Sequence, residues 1–393
     1  MRVLAVADSD SYLKWAACLL GDLPAGCETD LVVVRTPIAP SPQQIAAAVG
    51  GRPAPPMLSA RALRREAERT RPDVILVACT GPVVDVLVAE VLDGLSPRPV
   101  FATGLPGISV PATEKAWLFR SGCDLFVLHS RREVAEFGEI AARLGGGGAI
   151  GLARLPFLRS GRAAADGNRV VFATQAKVPR EREERERVLL ALGRLAELRP
   201  DLDVVVKLRA FEGERQTHRE RFHYRRLWRE LGEPGRLTFA AGPMQEHLER
   251  AAGFVTVSST AALEAIAQGV PSLVLADFGV SAEMINLVFE GSGLLGTLDR
   301  LAEGDFRTAD PQWCAANYFH PAELDDWTGL LAGLAAGRRT PARSLLDGPE
   351  HAAARRRARL RLEVPPTVLR YGYRAKRRVR RYLRALTRPA SGT

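Results

Sequence analysis

No stretch of this 393-residue chain approaches the roughly 20 consecutive apolar residues that a membrane-spanning helix needs. Its five cysteines (Cys18, Cys27, Cys79, Cys123, Cys314) are odd in number, scattered and without CxxC spacing. That excludes a disulfide framework and the usual structural zinc sites, and leaves core thiols in a reducing compartment. The histidines at 218, 223, 247 and 320 fall at no metal-binding spacing, so we expect neither a metal nor a bound cofactor. No Gly-x-Gly-x-x-Gly follows the first apolar run, where the chain reads Asp8-Ser9-Asp10-Ser11-Tyr12, and there is no Walker A sequence. A dinucleotide fold and a P-loop are thereby set aside. Positive charge is also missing from most of the chain. The formal net charge is +10, but His351–Thr393 alone holds fourteen Lys or Arg against Glu363, so everything before it sums to 10 − 13 = −3. With no recognition module in a mildly acidic body, no nucleic-acid partner is expected.

What is present is a repeated alternation of short, continuous apolar runs with longer amphipathic stretches, the pattern of parallel strands covered by helices. Strands are predicted at Arg2–Ala7, Asp30–Arg35, Asp73–Ala78, Pro99–Thr103, Asp124–Leu128 and Ile150–Leu155, then at Arg169–Thr174, Asp203–Leu208, Leu237–Phe239, Phe254–Val257 and after Pro271. Helices are predicted at Ser11–Leu20, Ser59–Arg69, Val83–Leu92, Arg131–Leu144, Glu181–Leu198, Phe222–Leu231 and Pro321–Leu334. Pro37–Pro56 reads as a loop with an ill-defined helical piece. The charge run Arg180–Arg187 reads as a solvated helix face. The length suits two domains. We expect an α/β fold of two Rossmann-like domains facing across a cleft: 1–160 on the acceptor side, a linker at 161–168, 169–340 on the donor side, and a basic tail at 341–393. Met1–Ala7 reads as a strand, too short for a signal-peptide core, so export is not expected.

Ser258-Ser259-Thr260-Ala-Ala-Leu-Glu264-Ala-Ile-Ala-Gln-Gly269-Val-Pro271 carries most of the chemistry. Three residues able to cap a helix stand between a strand and a short helix that Gly269 closes, a place suited to phosphate. A capping-box acid would fall at position 263, so simple capping does not explain Glu264. This stretch resembles the C-terminal donor-site signature of bacterial capsule and sialic acid-type glycosyltransferases and of polyglycerol-phosphate transferases. The wider chain resembles uncharacterised actinobacterial glycosyltransferases, and the two-domain plan is the glycosyltransferase-B architecture. The resemblance implies that Ser258, Ser259 and Thr260 hold a donor phosphate and that Glu264 meets the ribose or base. Those families commonly carry a Lys-x-His-Pro-like sequence at an earlier strand end, where this chain has Lys207-Leu-Arg209 without His-Pro.

The remaining candidates stand at predicted strand ends. Lys207 offers countercharge to an anionic donor, and Gln175 can reach a base or phosphate. Asp10, then Asp8, are candidate bases for an acceptor hydroxyl, with His129 as the alternative because its pKa lies near working pH. Thr80, Gly81, Gly104 and Gly107 are placed to line the acceptor pocket, with Glu114, Lys115 and Arg120 as additional contacts. The expected activity is inverting, metal-independent transfer of a sugar from a nucleotide donor, for instance a CMP-linked sialic or Kdo-like acid, to a cell-surface glycan or lipid-linked glycan. Two alternatives stand beside it: a sugar-nucleotide 2-epimerase of the same plan, with Glu212 and His218 as its acid and base candidates, and a catalytically silent binding protein. In the Arg355–Arg388 tail, basic residues alternate with Tyr and Leu, as on a helix that lies on an anionic membrane. The expected location is the cytoplasm, at the inner face of the plasma membrane.

Overall fold

The structure is a computed structural model and describes residues 1–50, 52–155, 158, 167–209, 220–337 and 340–364. Continuous apolar runs form strands buried on both faces, because parallel sheets are covered by helices on either side. The first sheet comprises β1 (Arg2–Ala7), β2 (Glu28–Val34), β3 (Met57–Leu58), β4 (Val74–Ala78), β5 (Val100–Gly104), β6 (Leu125–Leu128) and β7 (Ala149–Leu152), in the spatial order β3-β2-β1-β4-β5-β6-β7. The second comprises β8 (Arg169–Ala173), β9 (Asp203–Lys207), β10 (Thr238–Ala240), β11 (Ala251–Thr256), β12 (Ser272–Leu275) and β13 (Leu295–Gly296), ordered β10-β9-β8-β11-β12-β13. All strand pairings in both sheets are parallel. The chain is therefore an α/β protein of two Rossmann-like units, as the alternation of runs predicts.

In each sheet the winding reverses once, between β1 and β4 in the first and between β8 and β11 in the second. Ligands of such sheets bind outside the carboxyl ends of the strands at that switch point. The helix Asp10–Gly21 leaves β1 there and buries Leu13, Trp15, Ala16 and Leu19. The helix Ala261–Ala267 leaves β11 there and buries Ala262, Leu263 and Ala265.

Three features depart from the sequence reading. Within Pro37–Pro56 there is a regular helix, Pro42–Val49, opened by a capping box in which Ser41 and Gln44 bond reciprocally. Ser-Pro-Gln-Gln is the sequence signature of that box. Second, Arg185 interrupts the supposedly solvated charge run: it is 1% exposed and is paired with Glu220 at 2.8 Å. Third, the chain returns to the first sheet well before residue 340. The helix Trp327–Ala336 packs Trp327 and Leu331 among Val3, Ala5 and Trp15. The helix Pro349–Glu363 follows it back, placing Leu362 in the core around Val77 and Phe101. Apolar side chains on these helices find their cover on the first unit, and so the packing boundary lies before Trp327.

Candidate active site

At both switch points a side chain ties the two central strands together. In the first sheet Asp8 accepts from the Thr80 backbone N–H at 2.9 Å and from the Thr80 hydroxyl at 2.5 Å. In the second, Gln175 accepts from the Ser258 N–H at 2.8 Å and donates to the Ser258 hydroxyl at 2.7 Å. The residue two positions past the end of β4 or β11 is thus grasped, through its backbone and its hydroxyl, from the strand that pairs with it. Burial raises the Asp8 pKa against these hydrogen bonds and the field of Arg120. Asp8 and Gln175, read from sequence as base and ligand contact, are therefore engaged in tying together the ends of neighbouring strands.

The Ser258–Thr260 turn is more self-contained than a bare helix start. The Ser259 N–H bonds Thr256 Oγ1 and the Ala261 N–H bonds Ser259 Oγ. Ala262 and Leu263 bond back to the carbonyls of Ser259 and Thr260. Among the described residues, the Thr260 N–H and hydroxyl have no partner, and Thr260 Oγ1 would lie 3.3 Å from a Cβ built on Gly107 of the first unit. Of the three hydroxyls expected to hold a phosphate, those of Ser258 and Ser259 also accept hydrogen bonds within the fold, while Thr260 stands against Gly107 of the first unit.

Five charged side chains converge on the space between the sheets. Asp10 and Lys14 stand one turn apart on the Asp10–Gly21 helix, Lys207 and Arg209 at the end of β9, and Glu264 on the helix after the turn. Burial raises the pKa of Asp10 against the opposing fields of Lys14 and Arg209. It likewise raises that of Glu264 against Lys14 and Lys207. Burial lowers the pKa of Lys207, while Glu264 supports its charge and Arg209 and Lys14 oppose it. The fields of Arg209 at Asp10 and of Lys14 at Glu264 act from one unit on the other. Lys14 and Arg209 were missed in the sequence. The signal was there for Lys14, because a residue four after Asp10 shares its helix face.

Other sequence candidates support the fold. His129 is fully buried, and its Nε2 accepts from the Trp15 indole N–H at 2.6 Å while Nδ1–H donates to the Ala153 carbonyl at 2.8 Å. Burial lowers its pKa to about 4. With both nitrogens engaged inside the first unit, the histidine cannot serve as the base, and that expectation is corrected. A Cβ at Gly104 would fall 2.3 Å from Trp15, and one at Gly81 2.7 Å from Phe119. These glycines make room for rings, and Thr80 holds Asp8, so of the four acceptor-side candidates only Gly107 reaches the cleft. Arg120 is buried and donates to the Gly104 carbonyl and the Tyr12 hydroxyl, and Glu114 pairs with Arg143. Glu212 and His218 lie outside the described residues, as does most of the linker. Among the described residues, no group of three or more His, Cys, Asp or Glu is placed to hold a metal.

Two Rossmann-like units whose switch points face a common charged cleft define a glycosyltransferase-B type of fold. A family model described as "Putative glycosyltransferase (DUF6716)" matches residues 3–334, and the chain belongs to that family. No curated protein matches the sequence. Among solved structures, the chain is similar to S. aureus MnaA with UDP: TM-score 0.54 and 12% identity, covering 84% of this chain and 94% of that one. It is also similar to the UDP-GlcNAc 2-epimerase of Neisseria meningitidis bound to UDP-GlcNAc, with TM-score 0.53 and 11% identity over 77% of this chain and 90% of that one. The UDP-GlcNAc 2-epimerase of Methanocaldococcus jannaschii gives TM-score 0.52 and 11% identity over 86% and 100% of the two chains. At such identities the likeness concerns the fold.

Proposed function

We propose that the chain transfers a sugar from a nucleotide-activated donor to a glycan acceptor, with inversion and without a metal. The observation that carries this reading is the convergence of Asp10, Lys14, Lys207, Arg209 and Glu264 from both units beside the Thr260 N–H and hydroxyl, which have no partner among the described residues. Thr260, Lys207 and Arg209 supply hydrogen bonds and positive charge to the donor phosphate. Glu264, four residues into its helix, accepts from ribose or base hydroxyls. Asp10, across the cleft, removes the proton from the attacking acceptor hydroxyl. A CMP-linked acidic sugar, with a single phosphate to neutralise, suits two cations without a divalent ion; UDP, which the S. aureus neighbour holds, is the competing donor nucleotide.

A thermal-shift panel of CMP, CDP, UDP and GDP tests the donor half. One nucleotide at 100 times its Kd should stabilise the protein by about 2.7 kcal/mol. The shift should shrink strongly in Lys207→Ala and Glu264→Ala. A protein indifferent to all four nucleotides would sink the reading, as would conversion of a UDP-sugar to its 2-epimer with no acceptor present.

We further propose attachment to an anionic membrane surface, from the cytoplasmic side. No helix among the described residues is long and apolar enough to cross a membrane. The first part of the basic tail is docked rather than free: Arg355 pairs with Asp85 at 2.8 Å and Arg359 with Glu90 at 2.7 Å. Arg356, Arg357, Leu360 and Arg361 face outward on the same helix. Residues 365–393 lie outside the described range. Deleting 365–393 should abolish flotation with phosphatidylserine vesicles while leaving the melting temperature within a degree or two; undiminished flotation refutes the anchor.

A further inference from the structure

Glu133 lies in the third position of the helix Arg131–Leu144, whose start Ser130 caps by accepting from the Glu133 N–H at 3.0 Å. Its side chain, which the Ser130 backbone N–H also approaches, does more than cap the helix. It is fully buried and collects donors from three separate parts of the chain. Oε1 accepts from the Ser109 N–H at 2.8 Å and from the Tyr318 hydroxyl at 2.5 Å, while Oε2 accepts from the His129 N–H at 3.1 Å. Ser109 belongs to the segment that runs on from β5, in which Gly107 meets Thr260. Val110, next in that segment, is 3% exposed and packs in the second unit's core with Phe254, Ala261 and Leu263. Tyr318 stands in the same core, 185 residues from Glu133 in sequence. One carboxylate therefore joins the end of β6, the cleft-edge segment and the second unit. Nothing about its sequence context, an acid in a helix first turn, distinguishes it from an ordinary dipole partner.

We propose that Glu133 is a positioning residue for the cleft: by holding Ser109 and Tyr318 on one oxygen, it sets the approach of the Gly107 segment to Thr260 and so the aperture through which an acceptor reaches the donor. The proposal rests on the transferase reading for its meaning, but the placement it asserts is testable apart from any activity. Ionised, the carboxylate accepts from Tyr318, Ser109, His129 and Ser130 alike. Glutamine in its place keeps two acceptor positions on one atom and turns an N–H₂ group toward either the Ser109 N–H or the His129 N–H, donor against donor.

The test uses the full chain carrying Gly107→Cys and Thr260→Cys, whose sulfurs would fall close enough to join. The rate of disulfide formation under mild oxidation, with the native cysteines replaced in all variants, reports the approach of the segment to the turn. Adding Glu133→Gln or Tyr318→Phe should slow the reaction, about tenfold for Glu133→Gln and severalfold for Tyr318→Phe. Tyr318→Phe loses only a hydroxyl and keeps the ring in its core, so it remains informative if Glu133→Gln does not fold. In parallel, on the chain with native Gly107 and Thr260, Glu133→Gln should raise KM for the acceptor more than it lowers kcat. Equal cross-linking rates in folded parent and Tyr318→Phe proteins would overturn the proposal, even if the melting temperature fell, since a purely stabilising role moves only the latter. A protein that binds no nucleotide refutes the transferase reading and leaves the cross-linking result to decide the placement by itself.

Discussion

Replacing Arg185 by alanine should destabilise the protein by about 3–5 kcal/mol, the usual cost of leaving a buried charge without its partner. Arg185 is 1% exposed, lies over the Tyr224 ring at 4.9 Å, and pairs with Glu220, itself nearly buried. Its guanidinium also donates to the carbonyls of Pro179, Gln175, Ala176 and Phe222. Alanine would orphan the Glu220 carboxylate and these carbonyls together. For a chain of 393 residues the melting temperature should fall by about 5 °C. Because two of those carbonyls belong to Gln175 and its neighbour, the grip on Ser258 should loosen as well, and nucleotide binding should weaken in the protein that stays folded. Arg185→Met with Glu220→Gln removes both charges and should recover part of the loss. A loss below 1 kcal/mol in the single variant would mean that the guanidinium contributes little.

Asp10→Asn should lower turnover by about 10²–10⁴, the range for removal of a general base, with little change in stability. The Asp10 carboxylate makes no hydrogen bond to a described residue, unlike that of Asp8, and burial raises its pKa while Lys14 and Arg209 favour the anion. Release of nucleotide from whichever donor the thermal-shift panel identifies is the readout, and nucleotide affinity should be unchanged. Asp8→Asn gives the contrast. It should cost stability, about 1–3 kcal/mol for the disturbed hydrogen bonds to Thr80, and affect turnover only through it. If Asp10→Asn retained full turnover, the base would have to be sought elsewhere in the cleft, since His129 is sealed by Trp15 and Ala153.

Most strands, the two units and the strand-end turns were readable because buried parallel strands are written as continuous apolar runs. Edge strands of two residues, Met57–Leu58 and Leu295–Gly296, were not, having no run to recognise. Arg185 was readable in principle: Val188, Leu189, Leu192 and Leu195 define a buried stripe, and Arg185 continues it one turn earlier. The roles of His129 and Gly104 were hidden for a different reason. Both answer to Trp15, which lies 114 residues from His129 in the chain, and no local pattern records a partner at that distance. At the candidate site, residue types, strand-end positions and the resemblance were enough to single out Thr260, Glu264, Lys207 and Asp10 as candidates. They could not tell a side chain that faces the cleft from one such as Asp8 or Gln175 that grips the opposite strand.

The early return of the chain to the first sheet makes the second unit a cassette inserted into its host. Its exit and re-entry lie side by side, where Arg154 meets Asp325 at 2.9 Å and the Leu152 N–H meets Asp326 at 2.7 Å. A segment whose ends adjoin can be exchanged without changing the connectivity of what surrounds it. Lys207, Thr260 and Glu264 travel with the cassette, whereas Asp10 and Lys14 stay with the host. Under the proposed transferase reading, choice of donor and handling of acceptor would then be free to diverge independently within one uninterrupted chain.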